Sequence, residues 1–287
     1  MPSSDRYELL DFGDGRKLER FGRYVLDRES PAATEERPRH PRRWPEAHAR
    51  YERHGEKGRW RVAAELPDSW QMAHGPLRFE LKRTDFGHVG LFAEQAENWK
   101  WLTDRSAGLK LLNLFAYTGG STLAAAAGGA AEVVHVDAAR NVVGWARRNA
   151  ELSGLADAPV RWISEDARKF VERELRRGNR YDAVVLDPPS FGHGPKGEVW
   201  TLQRDLPGLL RDCGQLVTSP RGSILLTCHT TDVTAAALAD LLREALPATM
   251  TGRIATSAMA LTTADGRRLE SGVAVRWTVE PSVAADV

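Results

Sequence analysis

Residues 110 to 122, Lys-Leu-Leu-Asn-Leu-Phe-Ala-Tyr-Thr-Gly-Gly-Ser-Thr, constrain the fold more than any other stretch. An apolar run of strand character ends in a glycine turn, and an alanine-rich helix, Leu123 to Ala127, follows at once. Strand, glycine turn and helix bring bare backbone against a ligand at the carboxyl edge of the first strand of an α/β sheet. A second apolar strand, Val133-Val134-His135-Val136, ends in Asp137, eighteen residues after Gly119. An acid at that tip is placed to accept hydrogen bonds from a ribose diol. The turn lacks the Gly-x-Gly-x-x-Gly cradle, and no Gly-Lys-Ser/Thr loop occurs in the chain. Both absences argue against a dinucleotide or a nucleoside triphosphate and for a nucleoside-bearing ligand without phosphates.

From Leu109 onward strands and helices alternate. Strands are expected near 110–115, 132–136, 160–164, 182–186 and 222–227, and helices near 120–128, 138–152, 166–177, 201–218 and 231–245. That rhythm predicts an α/β fold with a mostly parallel sheet and helices on both faces. Residues 250–258 and 272–279 are strand-like with no helix between them, so an antiparallel C-terminal hairpin should close the sheet at seven strands.

The chain's 287 residues exceed one small core. The expected division is a small β-rich N-terminal region, 1–98, and a larger α/β domain, 99–287. Residues 7–27 read as two short strands around Gly13-Asp14-Gly15. Composition then shifts: nine Lys/Arg between Arg37 and Arg61 face Glu46, Glu52 and Glu56, with Trp44, Tyr51 and Trp60 interleaved. Such a mixture suits a phosphate backbone with bases to stack on. It equally suits a loosely ordered, solvated arm whose aromatics pack on the main domain.

No run of eighteen apolar residues exists, so no transmembrane helix is expected. Met1-Pro2-Ser3-Ser4-Asp5-Arg6 lacks the apolar core of a secretory signal. Only Cys213 and Cys228 are present, without metal-ligand spacing, so the expectation is a cytoplasmic protein with no disulfide framework and no metal. A net charge of +1 offers no global attraction for a polyanion.

The third strand runs into Ser164-Glu165-Asp166-Ala167, where Asp166 opens a helix. Its carboxylate can cap that helix and still accept a hydrogen bond from an exocyclic amine. The fourth strand ends Asp187-Pro188-Pro189-Ser190-Phe191. Two prolines cannot continue a central strand and donate no N–H. They leave carbonyls and the Asp187 carboxylate as an acceptor-only cluster beside the flat ring of Phe191. Such a cluster holds the hydrogens of an amine and turns its lone pair toward an electrophile.

The series Leu-Asn-Leu-Phe-Ala-Tyr-Thr-Gly-Gly, His-Val-Asp, Ser-Glu-Asp-Ala and Asp-Pro-Pro-Ser-Phe resembles the class I S-adenosylmethionine-dependent methyltransferases, with their Rossmann-like fold. Within them it is similar to the group that includes bacterial 23S rRNA large-subunit methyltransferases. Gly87 to Gln95 is similar to that group's Gly-x-x-Gly-x-Phe/Tyr-x-x-Gln segment. The resemblance implies S-adenosylmethionine as cofactor, with Gln95 and the Ala116–Gly119 backbone at its methionine end. It implies Asp137 on the ribose, Asp166 on the adenine amine, and Asp187-Pro188-Pro189 facing the transferred methyl. The expected cofactor set is then Gln95, Asn113, Phe115, Ala116, Tyr117, Thr118, Gly119, Asp137, Asp166 and Asp187. The catalytic set is Asp187, Pro188, Pro189 and Phe191.

Methylation at C5 of cytosine requires a thiolate that adds to C6. Cys228 stands two places before Thr230, where the relatives' nucleophile stands, and as the last residue of a buried strand it reads as a small core residue, with a nucleophile as the alternative. Without a covalent step, transfer is an in-line displacement to a lone pair. A hydroxyl acceptor would call for a base, with His193 and His229 as candidates. Gly192 to Gly197 reads as a loop able to close over substrate. The expected function is methylation of an RNA base, in ribosomal RNA. A small-molecule or protein substrate, a non-catalytic binding protein and a nicotinamide-dependent oxidoreductase are the alternatives.

Overall fold

A computed structural model describes residues 5–279 apart from 56, 64, 194–196, 198, 218, 219, 231 and 232. It divides into two units. The first draws on Met1–Ala96, Arg148–Ala156 and Ala260–Ser271, the second on Glu97–Arg147, Asp157–Met259 and Gly272–Val287.

In the first unit, β1 (Tyr7–Gly13), β2 (Arg16–Phe21), β3 (Tyr24–Glu29), β4 (Ala49–His54) and β5 (Lys57–Val62) form a sheet in that order. β6 (Ser69–His74) and β7 (Leu77–Lys82) make a separate hairpin. Residues 7–27 thus hold the starts of three strands rather than two. The extra reversal is a two-residue turn at Gly22, whose φ of +65° suits a residue without a Cβ, and it leaves Phe21 paired with Tyr24. Nor is the basic stretch a loose arm: β4 runs parallel to β3 through Leu26 and Ala49, and β5 returns antiparallel. Its aromatics are committed inside this unit. The Trp44 indole donates to Asp11 Oδ2 (2.9 Å), that of Trp60 to the Thr84 carbonyl (2.8 Å), and Tyr51 is fully buried. They are therefore spent on packing, not offered to bases, while Arg42 and Arg59 remain at the surface.

In the second unit the elements are α1 (Ala96–Arg105), β8 (Lys110–Leu114), α2 (Gly120–Ala127), β9 (Glu132–Asp137), α3 (Arg140–Leu152), β10 (Val160–Ser164) and α4 (Ala167–Arg176). There follow β11 (Ala183–Leu186), a small hairpin of β12 (Phe191–His193) and β13 (Val199–Thr201), α5 (Leu202–Leu216), β14 (Ser223–Cys228), α6 (Ala235–Ala245), β15 (Gly252–Thr262) and β16 (Arg268–Val279). Seven strands pair in the order β10-β9-β8-β11-β14-β16-β15. β8, β9, β10, β11 and β14 are mutually parallel where they pair, and β16 runs antiparallel to β14. β15 and β16 outrun the expected 250–258 and 272–279, and residues 260–271 of this ribbon belong to the first unit.

Near-continuous apolar runs make the central strands because a parallel sheet covered on both faces has no wet side. One face presents Leu112, Leu114, Val134, Val136, Val184, Leu186, Ile224 and Leu226 to a core that includes Phe170, Leu206, Leu210 and Leu238. On α2, Gly120 permits a close approach: a Cβ there would lie 2.8 Å from the Trp99 indole. The strand order reverses at β8, which has β9 on one side and β11 on the other. Such a reversal opens a crevice beyond the carboxyl ends of the strands.

Candidate active site

The strand registers align the candidate residues of this unit on that edge. Leu114 pairs with Val136 and with Leu186, Leu186 with Leu226, and Asp137 with Ser164. One residue further on, Phe115 is level with Asp137, Asp187 and Thr227. Asp137 and Asp187 flank the end of β8, two strand spacings or about 10 Å apart.

The turn after β8 is held against its own preferences. Phe115 and Tyr117 adopt φ of +54° and +48°, and Gly119 φ of +92°. Left-handed backbone costs a non-glycine residue about 1–2 kcal/mol. Two bonds offset that cost. Ala116 N–H donates to the Val136 carbonyl (3.0 Å), and Tyr117 N–H to Asp137 Oδ2 (2.9 Å). Asp137 Oδ1 accepts from Ala139 N–H (2.9 Å). Burial pushes the Asp137 carboxyl above its ordinary value, with these two N–H groups acting the other way. A carboxylate has about four acceptor positions, so two remain for a diol.

Beneath the turn lies a buried polar chain. Asn113 Nδ2 donates to Thr122 Oγ1 (2.8 Å), which meets His135 Nδ1 (2.9 Å). Asn113 therefore supports the turn from below. His135 is wholly buried, its Nε2 has no hydrogen-bond partner among the described residues, and burial, aided by Arg147, pushes its pKa down to about 3. The unfolded chain protonates this imidazole below about pH 6.5 while the native one stays neutral. Stability should therefore fall on acidification from about 6.5 toward about 3, by up to about 1.4 kcal/mol per pH unit from this group. Urea unfolding at neutral and at mildly acidic pH should show a smaller acid loss for His135→Asn; an equal loss would remove His135 as its source.

Asp166 caps α4, accepting Lys169 N–H at Oδ1 (3.1 Å), with Arg168 Nε at 4.0 Å. At the tip of β11, Asp187 Oδ1 accepts the Thr227 hydroxyl (2.6 Å) and lies 3.3 Å from His229 Nε2. These contacts orient the carboxylate. The prolines are not equivalent, as the sequence suggested they would be. The Pro189 carbonyl accepts the Trp200 indole N–H (2.7 Å), whereas no donor among the described residues reaches that of Pro188. Phe191 is 57% exposed. Ser190 and Thr230 join through their hydroxyls (2.6 Å).

Cys228 is fully buried at the end of β14, and Cys213 is buried on α5 with its thiol pushed up by burial. Gln95 belongs to the first unit, buried in a single 3-10 turn, Ala93–Gln95. The His193 side chain and Gly194, Pro195 and Lys196, read from the sequence as part of a closing loop, lie outside the described residues. Among the described residues no cluster of three His, Cys, Asp or Glu could hold a metal ion, and no helix is long and apolar enough to cross a membrane. Thr227, Thr122 and Trp200 were not singled out by the sequence. Thr227 becomes visible only once β14 is known to lie beside β11.

A family model described as S-adenosylmethionine-dependent methyltransferase matches residues 39–257. Ribosomal RNA large subunit methyltransferase K/L of Hahella chejuensis is 37% identical over 157 residues, which are 54% of this chain and 21% of that protein. Ribosomal RNA large subunit methyltransferase K of Neisseria meningitidis is 31% identical over 153 residues, 53% of this chain and 43% of that protein. The chain thus spans less than half the length of these curated relatives. The crystal structure of the SAM-dependent methyltransferase from Agrobacterium tumefaciens superposes with a TM-score of 0.90 at 38% identity, over 98% of this chain and 92% of that one. SMU.776, solved complexed with SAH, shares the fold at a TM-score of 0.79 and 19% identity, over 96% of this chain and 76% of its own. A family match through most of the sequence and a near-full-length likeness at 38% identity make this chain a member of the S-adenosylmethionine-dependent methyltransferases.

Proposed function

We propose that the chain methylates a nitrogen of an RNA base, in ribosomal RNA and hence in the cytoplasm, by direct in-line transfer. The observation that carries this reading is the Asp187–Pro188 acceptor pair with the exposed ring of Phe191 beyond it. The ribosomal RNA substrates printed in the relatives' names support RNA as the polymer.

The donor set fits the family's cofactor: a half-buried carboxylate with two free acceptor positions, a bare backbone turn and a second carboxylate at the next strand tip. Asp137 would hold the ribose diol, Asp166 the adenine amine, and the Ala116–Gly119 backbone the methionine end. When bound, S-adenosylmethionine supplies an electrophilic methyl on its sulfonium. The outer oxygen of Asp187 and the Pro188 carbonyl accept the hydrogens of the incoming amine, which turns its lone pair outward along the line of transfer. Phe191 offers a stacking face to the base. Asp187 takes the proton that the nitrogen sheds, and His229, partly open to solvent, is placed to relay it. The N-terminal region 1–98 adds contact to the substrate, and 99–287 is the methyltransferase domain that carries the acceptor turn.

Tritiated methyl from labelled cofactor should appear in RNA rather than in protein or small-molecule fractions. Transfer should fall steeply between about 50 and 200 mM salt as phosphate contacts are screened. Label confined to protein or small molecules would overturn the RNA substrate. In the same assay Cys228→Ala should transfer methyl undiminished, because a fully buried thiol cannot add to a base. Loss of transfer in that variant, with the protein still folded, would reinstate a covalent route.

A further inference from the structure

Proline has no N–H, so the Asp187-Pro188-Pro189 turn cannot be fixed by hydrogen bonds donated from its two prolines. A donor must come from elsewhere, and the described residues supply one for Pro189: Trp200 Nε1, 2.7 Å from the carbonyl. Trp200 is only 6% exposed and sits at the centre of β13, opposite Gly192. Its ring also packs against Phe115, centroids 5.1 Å apart, and the Arg168 guanidinium lies 5.9 Å from its centre. Phe115 is one of the two non-glycine residues held at positive φ in the turn after β8, and Arg168 follows two residues after Asp166.

The hairpin that carries this indole is tied down independently. Leu202 N–H donates to the Ser190 carbonyl (3.0 Å), and Thr201 N–H to Asp205 Oδ2 (2.7 Å). Arg168 pairs with Asp205 (3.0 Å), and Arg204 holds the Val199 carbonyl. One rigidly mounted side chain therefore touches both the cofactor-side turn and the acceptor-side turn.

We propose that Trp200 is a positioning residue that sets the distance between these two turns and withdraws the Pro189 carbonyl from the acceptor set. It leaves Pro188 and Asp187 as the pair that meets the substrate. The assignment of that pair rests on the function proposed above. The indole N–H and the indole ring have separable duties: the N–H fixes the acceptor turn, and the ring braces Phe115.

The test uses the full chain with three changes at position 200: Trp200→Phe, Trp200→Ala, and a benzothienylalanine isostere that keeps both fused rings but replaces N–H with sulfur. S-adenosylhomocysteine affinity is read by calorimetry, and kcat is read on whichever fraction accepts methyl from the wild type. The isostere should lower kcat about tenfold, the value of one ordinary hydrogen bond. Its affinity for S-adenosylhomocysteine should stay at the wild-type level, and its melting temperature should fall by no more than the loss of one hydrogen bond accounts for. Trp200→Phe should show the same kcat loss with some loss of melting temperature from the smaller ring. Trp200→Ala should add about tenfold weaker S-adenosylhomocysteine binding, because Phe115 loses its support. An isostere with wild-type kcat, or a Trp200→Ala protein that is folded and binds S-adenosylhomocysteine normally, overturns the proposal. A wrong substrate would show in the wild type, whereas failure of this inference shows only in the ratio of variant to wild type.

Discussion

Asp187→Ala is expected to lower kcat about a thousandfold, within the range for loss of a positioned acid–base group. S-adenosylhomocysteine affinity should change by no more than a few fold. The reason lies in how the carboxylate is shared. Oδ1 is engaged by the Thr227 hydroxyl and faces His229, so the role of orienting the amine and taking its proton is assigned to Oδ2. Alanine removes both. Asp187→Asn should be intermediate, because a single amide oxygen must then serve either Thr227 or the substrate. Single-turnover transfer alongside calorimetry with S-adenosylhomocysteine separates the two effects. An Asp187→Ala protein that keeps wild-type turnover would show that another group holds the acceptor.

Asp137→Ala should weaken S-adenosylhomocysteine binding at least a hundredfold, about 2.7 kcal/mol. Two losses add: the acceptor positions for the ribose, and the bonds to Tyr117 and Ala139 N–H that hold the turns beside it. The pH dependence follows from the raised pKa. Ribose binding needs the ionised carboxylate, so affinity should fall on acidification, beginning at a higher pH than an ordinary aspartate would give. The stability contribution has the opposite sense. Because folding favours the protonated form, stability from this group is present below its unfolded pKa and lost as pH rises through the folded value. At neutral pH the ionised Asp137 therefore costs the ligand-free protein some stability, and ligand binding offsets it. Calorimetry across a pH series checks the binding limb; an affinity that stays flat on acidification would remove Asp137 from the ribose role.

Much of this was legible from local pattern. Mostly apolar runs at 110–114, 132–137 and 183–186, alternating with helix-period segments, specify parallel strands with helices over both faces. Asp166 as a helix cap was equally readable, because its partner, Lys169 N–H, is three residues away. The N-terminal region was read less well. The turn at Gly22 is two residues long and carries one glycine inside an otherwise continuous strand pattern. The aromatics at 44, 51 and 60 gave no sign from the sequence that Asp11, Asp85 and Thr84 would engage them.

The sequence by itself determined which residues stand at strand tips, since a period of two or of 3.6 and a proline or glycine stop are properties of neighbours along the chain. Only the tertiary structure decided which tips adjoin. That choice put Thr227 against Asp187 across forty residues, and Trp200 against both Pro189 and Phe115. Such contacts depend on strand order and on the return of a hairpin. Both are settled by burial of whole faces, so no single stretch of sequence records them.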